Sequence, residues 1–234
     1  MTTRFVSFLP QFLPEVFEVM SSLEAQDASD GHMSHHLSIL KILFACLYID
    51  PNTTLKFIYE VSFTGLFFSL WHSHSDSFQS VYGCKVQILA SLAILCHADL
   101  SLVPADALGG IADILVSNLE VLPHAIKARQ EILSLDRELK SLQKDVGNGL
   151  DDEDDEYSGA YLEDEYEVDD AELEALKQTP LDSMNVFEVF ANKFTTLQQS
   201  DVARHTAVFG SLDSNQQEAV TRIVKISQHS MAGR

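Results

Sequence analysis

Between Asp151 and Glu174 the chain places fourteen carboxylates in 24 residues, with no Lys or Arg among them. They are Asp151, Asp152, Glu153, Asp154, Asp155, Glu156, Glu163, Asp164, Glu165, Glu167, Asp169, Asp170, Glu172 and Glu174. Fully extended, such a stretch spans about 80 Å and sets its charges roughly 6 Å apart. That is inside the Debye length of about 8 Å at physiological salt, so the charges repel one another and resist compaction. A polyanionic strand attracts basic surfaces over its whole reach and raises the rate at which it meets them. Tyr157, Tyr161 and Tyr166 interleave the acids, each with a ring face on which an Arg or Lys can stack. These residues together form the candidate site for a basic protein partner. A solvated, disordered linker is the plainer account of the same composition.

Other chemistries fit less well. An EF-hand loop that started at Asp151 would need glycine at its sixth position and a bidentate Glu at its twelfth, where this chain has Glu156 and Leu162. His32, His35 and His36 fall at three- and four-residue spacing, and His72 and His74 flank Ser73. No Cys-x-x-Cys or His-Glu-x-x-His accompanies them to complete a zinc site, so they read as histidines at helix ends. Cys46, Cys84 and Cys96 are odd in number and sit in apolar runs, as buried reduced thiols do. There is no phosphate-cradling glycine loop, no Gly-x-Ser-x-Gly turn and no dinucleotide fingerprint. The acid pairs of the tract lie in a stretch that cannot hold two carboxylates at a fixed separation, which acid–base catalysis requires. Neither an enzyme nor a bound cofactor or metal is expected.

The formal net charge is −20, of which the tract supplies −14, so the acidity is local. With no basic stripe elsewhere, direct binding to nucleic acid is not expected. The opening "MTTRFVSFLPQFLPEVFEVM" is interrupted by two prolines and Glu15, which speaks against a secretory signal. The longest apolar runs, such as "LSILKILFACLYI" broken by Lys41, fall short of the roughly 20 residues that span a membrane. The apolar density of residues 37–96 leaves membrane association as a lesser reading.

The elements that must position these groups read as helices throughout. Val16, Phe17, Met20 and Leu23 predict a helix from Pro14 to about Glu24. A second runs from about His35 to Ile49 and stops at Asp50-Pro51. Asn52 or Thr53 would cap a third that continues towards Trp71. "FQSVYGCKVQILASLAILCHA" is apolar on nearly every side, which predicts a helix packed between neighbours. Two more begin at Pro104 and Pro123, with Gly109-Gly110 a weak point in the first. The second turns charged towards its end, like a helix leaving the packed body.

About six helices joined by short links suggest antiparallel pairs stacked into an array over residues 1–146. Residues 147–180 form the acidic excursion. Residues 181–229 hold a helix pair that docks back on the array, its first helix marked by Val186, Phe187, Phe190, Phe194 and Leu197, its last by a capping box of Ser214 and Gln217.

One combination is more specific than any of its parts. "LWHSHSDSFQSVYGCKVQILASLAIL", a Pro-initiated helix pair, a long acidic insertion, then "TPLDSMNVFEVFANKFTTLQQSD" and "SLDSNQQEAV" follow one another in order from about Phe57 to Ile226. This succession resembles the C-terminal region of importin-β-type nuclear transport receptors, most closely the importin-seven and importin-eight branch. Trp71, Tyr82, Lys85, Pro180, Asp182 and the Phe187–Phe190–Phe194 stripe carry the alignment. The resemblance implies a HEAT-repeat solenoid, shuttling between nucleus and cytoplasm, and basic cargo such as ribosomal proteins or histones. Such receptors are several times longer, and the N-terminal repeats that supply most of their surface for the small GTPase Ran have no counterpart here. The chain is thus either a segment of a longer product or a short relative. The alternative function is an acidic scaffold or chaperone-like module that shields basic proteins without Ran control.

Overall fold

Caps and prolines set the helix boundaries in the computed structural model. It describes residues 8–24, 31–147 and 177–232, with side chains for 8–19, 35–141 and 177–228. Nine α-helices follow in order among these residues, with no strand: α1 (Leu9–Glu24), α2 (Gly31–Ile49), α3 (Pro51–Glu60), α4 (Thr64–His74), α5 (Val81–His97), α6 (Ala105–Gly147), α7 (Val186–Ser200), α8 (Val202–Phe209) and α9 (Ser214–Ala232). Single 3₁₀ turns at Ser75–Ser77 and Leu100–Leu102 lead into α5 and α6. The chain is all-α over the described residues, as the apolar spacing predicts.

Several boundaries differ from the sequence reading, each for a local reason. α1 begins at Leu9, so Pro14 lies inside the helix rather than in its first turn. Pro10 and Pro14 are both exposed, and Pro14 has no N–H to offer the carbonyl four residues back. Asp50, not Asn52 or Thr53, caps α3: its carboxylate accepts from Thr53 N at 3.1 Å and from Thr53 Oγ1 at 2.8 Å, with Pro51 in the first turn.

The expected single helix to Trp71 breaks after Glu60. Ser62 takes φ 61°, Phe63 N donates to Ile58 O and Ser62 N donates to Tyr59 O, both at 3.0 Å. That is a Schellman ending with Ser in the left-handed position where Gly is usual, so no residue type announced it. In the other direction, α6 runs unbroken for 43 residues through Gly109, Gly110 and Pro123, spanning about 64 Å. Pro123 is exposed, while Ile111, Leu115, Leu119 and Leu122 anchor the buried side across it.

The C-terminal part holds three helices instead of a pair. The short α8 is capped by Asp201, which accepts from Arg204 N at 2.9 Å. The capping box of α9 sits one residue earlier than expected: Gln216 N donates to Asp213 Oδ1 at 2.8 Å, and Asp213 N donates to Gln216 Oε1 at 2.9 Å.

The core gathers around α5. Every residue from Gly83 to Leu95 is buried, because α2, α3, α6 and α7 all pack against this helix. Fully burying one Leu or Ile contributes about 1.5–3 kcal/mol, so α5 concentrates more of the fold's stability than any other stretch of its length. An aromatic group closes one end, with Phe44 4.6 Å from Trp71 and 5.4 Å from Phe78, ring centre to ring centre.

Candidate interaction surface

The candidate residues from Asp151 to Glu174 lie outside the described residues; what is described is how the chain enters and leaves them. It departs at Gly147, the last residue of α6, and returns at Lys177. There Arg129, from the middle of α6, donates through Nη2 to Lys177 O at 2.8 Å and forks onto Asp182, at 2.7 Å to Oδ1 and 3.0 Å to Oδ2. Two-pronged guanidinium–carboxylate pairing fixes orientation as well as distance. The Asp182 carboxylate also accepts from Thr179 N and Thr179 Oγ1, which ties Thr179-Pro180-Leu181-Asp182 into one turn. Its hydrogen bonds with Arg129 hold that carboxyl well below the usual carboxylate range.

The back of the turn grips a buried lysine. Lys85 Nζ, in the second turn of α5, donates to Leu181 O at 2.6 Å, Met184 O at 2.9 Å and Asp182 O at 3.4 Å. Burial pushes the Lys85 pKa down, against the nearby Asp182 charge, which pulls it up. Three carbonyls around one ammonium give a buried cation the partners it needs. Arg129 and Gly147 are 18 residues apart on one helix, about 27 Å along its axis. The 29 intervening residues reach up to about 100 Å when extended. The acidic tract is therefore tied at both ends to the same helix, with length to spare.

A second set of contacts docks α7 to α9. Arg204 of α8 covers the carbonyl end of α5: Nε donates to Leu95 O at 2.7 Å, and Nη2 to Ile94 O at 2.9 Å and Ala98 O at 2.7 Å. The last carbonyls of a helix lack internal partners and carry the negative end of its dipole, so a guanidinium there both satisfies and neutralises them. Gln216 donates to Asp113 at 3.0 Å, and Arg222 pairs with Glu120 at 3.0 Å. Val186, Phe190, Leu197, Val208 and Phe209 are buried beneath, whereas Phe187 and Phe194 are half-buried.

The polar residues inside the body hold helices together. Trp71 Nε1 donates to Gln87 Oε1 at 2.9 Å; Gln87 Nε2 donates to Ser75 O at 3.1 Å and Asn118 Oδ1 at 3.3 Å. Asn118 Nδ2 closes the chain on Ile114 O at 2.8 Å. Indole, amide and amide thereby link α4, α5 and α6 across the core.

The histidines do not converge on a site. His32 has no described side chain, His35 is exposed, and the rings of His36 and His74 lie 6.0 Å apart, centre to centre, tilted by 37°. Among the described residues no group of three His, Cys, Asp or Glu could hold a metal ion. Cys46, Cys84 and Cys96 are free thiols. Burial pushes Cys46 and Cys84 up to about 11, so neither is a thiolate nucleophile at neutral pH. No described helix is long and apolar enough to cross a membrane.

Over the described residues the arrangement is all-α, with Lys85, Arg129 and Arg204 holding turns and helix ends and the Trp71–Gln87–Asn118 chain joining helices inside. No family model, no curated protein and no solved structure matches the chain. Sequence reasoning singled out Lys85, Asp182 and Trp71 by resemblance and missed their partners Arg129 and Gln87. Arg129 carried no local signal, because its partner lies 53 residues away.

Proposed function

We propose that this chain is the C-terminal segment of an importin-like nuclear transport receptor, with its helices paired as HEAT-like repeats, binding basic protein cargo. The ordered succession of motifs from Phe57 to Ile226 supports the reading. So does one feature of the geometry, which carries most weight: the chain enters the acidic tract from the end of α6, and where it returns the Arg129–Asp182 fork ties it back to α6 and the Lys85 grip ties it to α5. With both flanks of the tract fixed on the folded body, a partner drawn by its carboxylates meets that body as well. Binding is non-covalent: the acids draw a basic protein in, and the helical body supplies shape and dispersed polar contacts. The protein works in nucleus and cytoplasm.

The test is capture of purified histones or ribosomal proteins by the intact chain and by one lacking residues 151–174, at low and high salt, with and without GTP-loaded Ran. Loss of capture on deletion, with release by Ran, supports a transport receptor. Tract-dependent capture that ignores Ran supports the alternative, an acidic scaffold for basic proteins. Capture that neither deletion nor salt alters removes the tract from the site.

A further inference from the structure

Past Arg129, α6 leaves the packed body while its sequence keeps an apolar stripe. Ala125, Ala128, Ile132, Leu135 and Leu139 follow at alternating steps of three and four, and the sequence continues the same spacing with Leu142 and Val146. That is the seam of a coiled coil, in which each apolar position expects a facing helix. Over the outer part of the stripe none faces it among the described residues: Leu135 is 58% and Leu139 61% exposed. The two alanines and Ile132 line a cleft of about 350 Å³ that continues the stripe up to Tyr82 and Thr179.

We propose that this seam docks an amphipathic helix of a partner protein, apolar on one face and flanked by Lys and Arg. The charge beside the stripe selects that occupant. Glu131 and Glu138 edge one side and Asp136 the other, while Arg129, the cation on that second edge, is already engaged by Asp182. Arg137 stands on the opposite face of the helix, and Lys127 and Lys140 reach Glu131 at 3.7 Å and Asp136 at 2.8 Å in exposed pairs one turn long, which are weak enough for a partner's cations to share. A second copy of this chain would set Glu131 against Asp136 in a parallel pair and Glu138 against its own equivalent in an antiparallel one, so like charges oppose self-pairing either way. The chain's own stretch from Asp151 to Glu174 is uniformly acidic and meets the same repulsion. A basic helix turns each of these edges into attraction. The inference deepens the proposed function by giving the basic partner a second contact, distinct from the acidic tract.

The probe is a three-heptad peptide with Leu along one face and Lys at the flanking positions, alongside a twin with Glu in place of Lys. Affinities for both are measured by titration calorimetry on the full chain, on Leu135→Ser/Leu139→Ser, on Glu131→Lys/Glu138→Lys, and on the chain lacking residues 151–174. The Lys peptide is expected to bind the full chain, to lose at least about tenfold on the Leu135→Ser/Leu139→Ser variant, and to keep that seam dependence when the same pair is changed in the tract-deleted chain. The Glu131→Lys/Glu138→Lys variant is expected to prefer the Glu twin. Equal binding by the Leu variant, no change of preference in the Lys variant, or dimerisation of the free chain through Leu135 and Leu139 in sedimentation would each overturn the proposal. Tract deletion alone reports on the proposed function, and the seam variants alone report on this inference, so the two fail separately.

Discussion

α5 and the outer part of α6, residues 131–147, are both seventeen residues long, and they are held by opposite means. α5 has Lys85 as its one formally charged residue and is buried from Gly83 to Leu95, so neighbours stabilise it on every side. Residues 131–147 carry seven charged side chains, and Ser134 to Ser141 are exposed except for a half-buried Asp136. Local terms support that stretch, such as the pair of Lys140 and Asp136 at 2.8 Å, and exposed pairs one turn apart contribute only about 0.3–0.5 kcal/mol each. One helix is enclosed by the fold; the other, among the described residues, stands largely in the open from Ser134 to Ser141.

The widest gap between the two should appear in core truncation. Ile88→Ala, at a fully buried position of α5, is expected to cost about 2–5 kcal/mol. Leu139→Ala is expected to stay within about 0.5 kcal/mol, as exposed positions do. Denaturant melts of the two variants measure both. A comparable loss in each would mean that outer α6 is packed after all.

A smaller effect tests how the C-terminal helices complete α5. Arg204→Ala takes the guanidinium from the carbonyls of Ile94, Leu95 and Ala98, of which Ile94 O keeps Ala98 N at 3.2 Å, and is expected to cost about 1–3 kcal/mol. Faster amide exchange should then concentrate in α8 and the end of α5. Arg204→Lys restores the charge but not the fork, so it should recover only part.

The turn at Asp182 gives a pH signature. Its folded pKa lies below the ordinary value of 3.8, chiefly through Arg129, so the unfolded chain binds the proton more readily. The stabilisation is present above about pH 4 and is lost as pH falls further. Amide exchange across residues 177–184 should accelerate in that window for the native chain and show no such step in Asp182→Asn. The smallest effect concerns thiols: Cys46 and Cys84, raised to about 11, should stay unmodified by iodoacetamide at pH 8 until the chain unfolds. Rapid native labelling of Cys84 would show that α5 is less enclosed than its burial indicates.

Much of this was legible in the residues, because burial and helical period act through neighbours three and four apart. The all-round apolar pattern of Val81–His97 marked the central helix, and the late charges of α6 marked its exit from the body. Three features escaped for physical reasons. Ser62 fills a left-handed position without the glycine that advertises one. Pro123 sits inside a helix with its own ring exposed, while the buried Leu119 and Leu122 beside it keep the helix on the core. Arg129 and Arg204 find partners 53 and more than 100 residues distant, a relation that periodicity does not encode. The tract itself was plain in composition, while its double attachment to α6 emerged only from the geometry.

The most direct test of the central claim is the affinity of a purified core histone for the intact chain and for the chain lacking residues 151–174, followed across salt. The expected result is tight binding at low salt that weakens steeply as salt rises, with the deletion weaker by at least about tenfold and nearly flat in salt. Equal affinity and equal salt dependence in the two chains would contradict it, and would leave the acidic tract as a spacer between α6 and the turn that Arg129 holds.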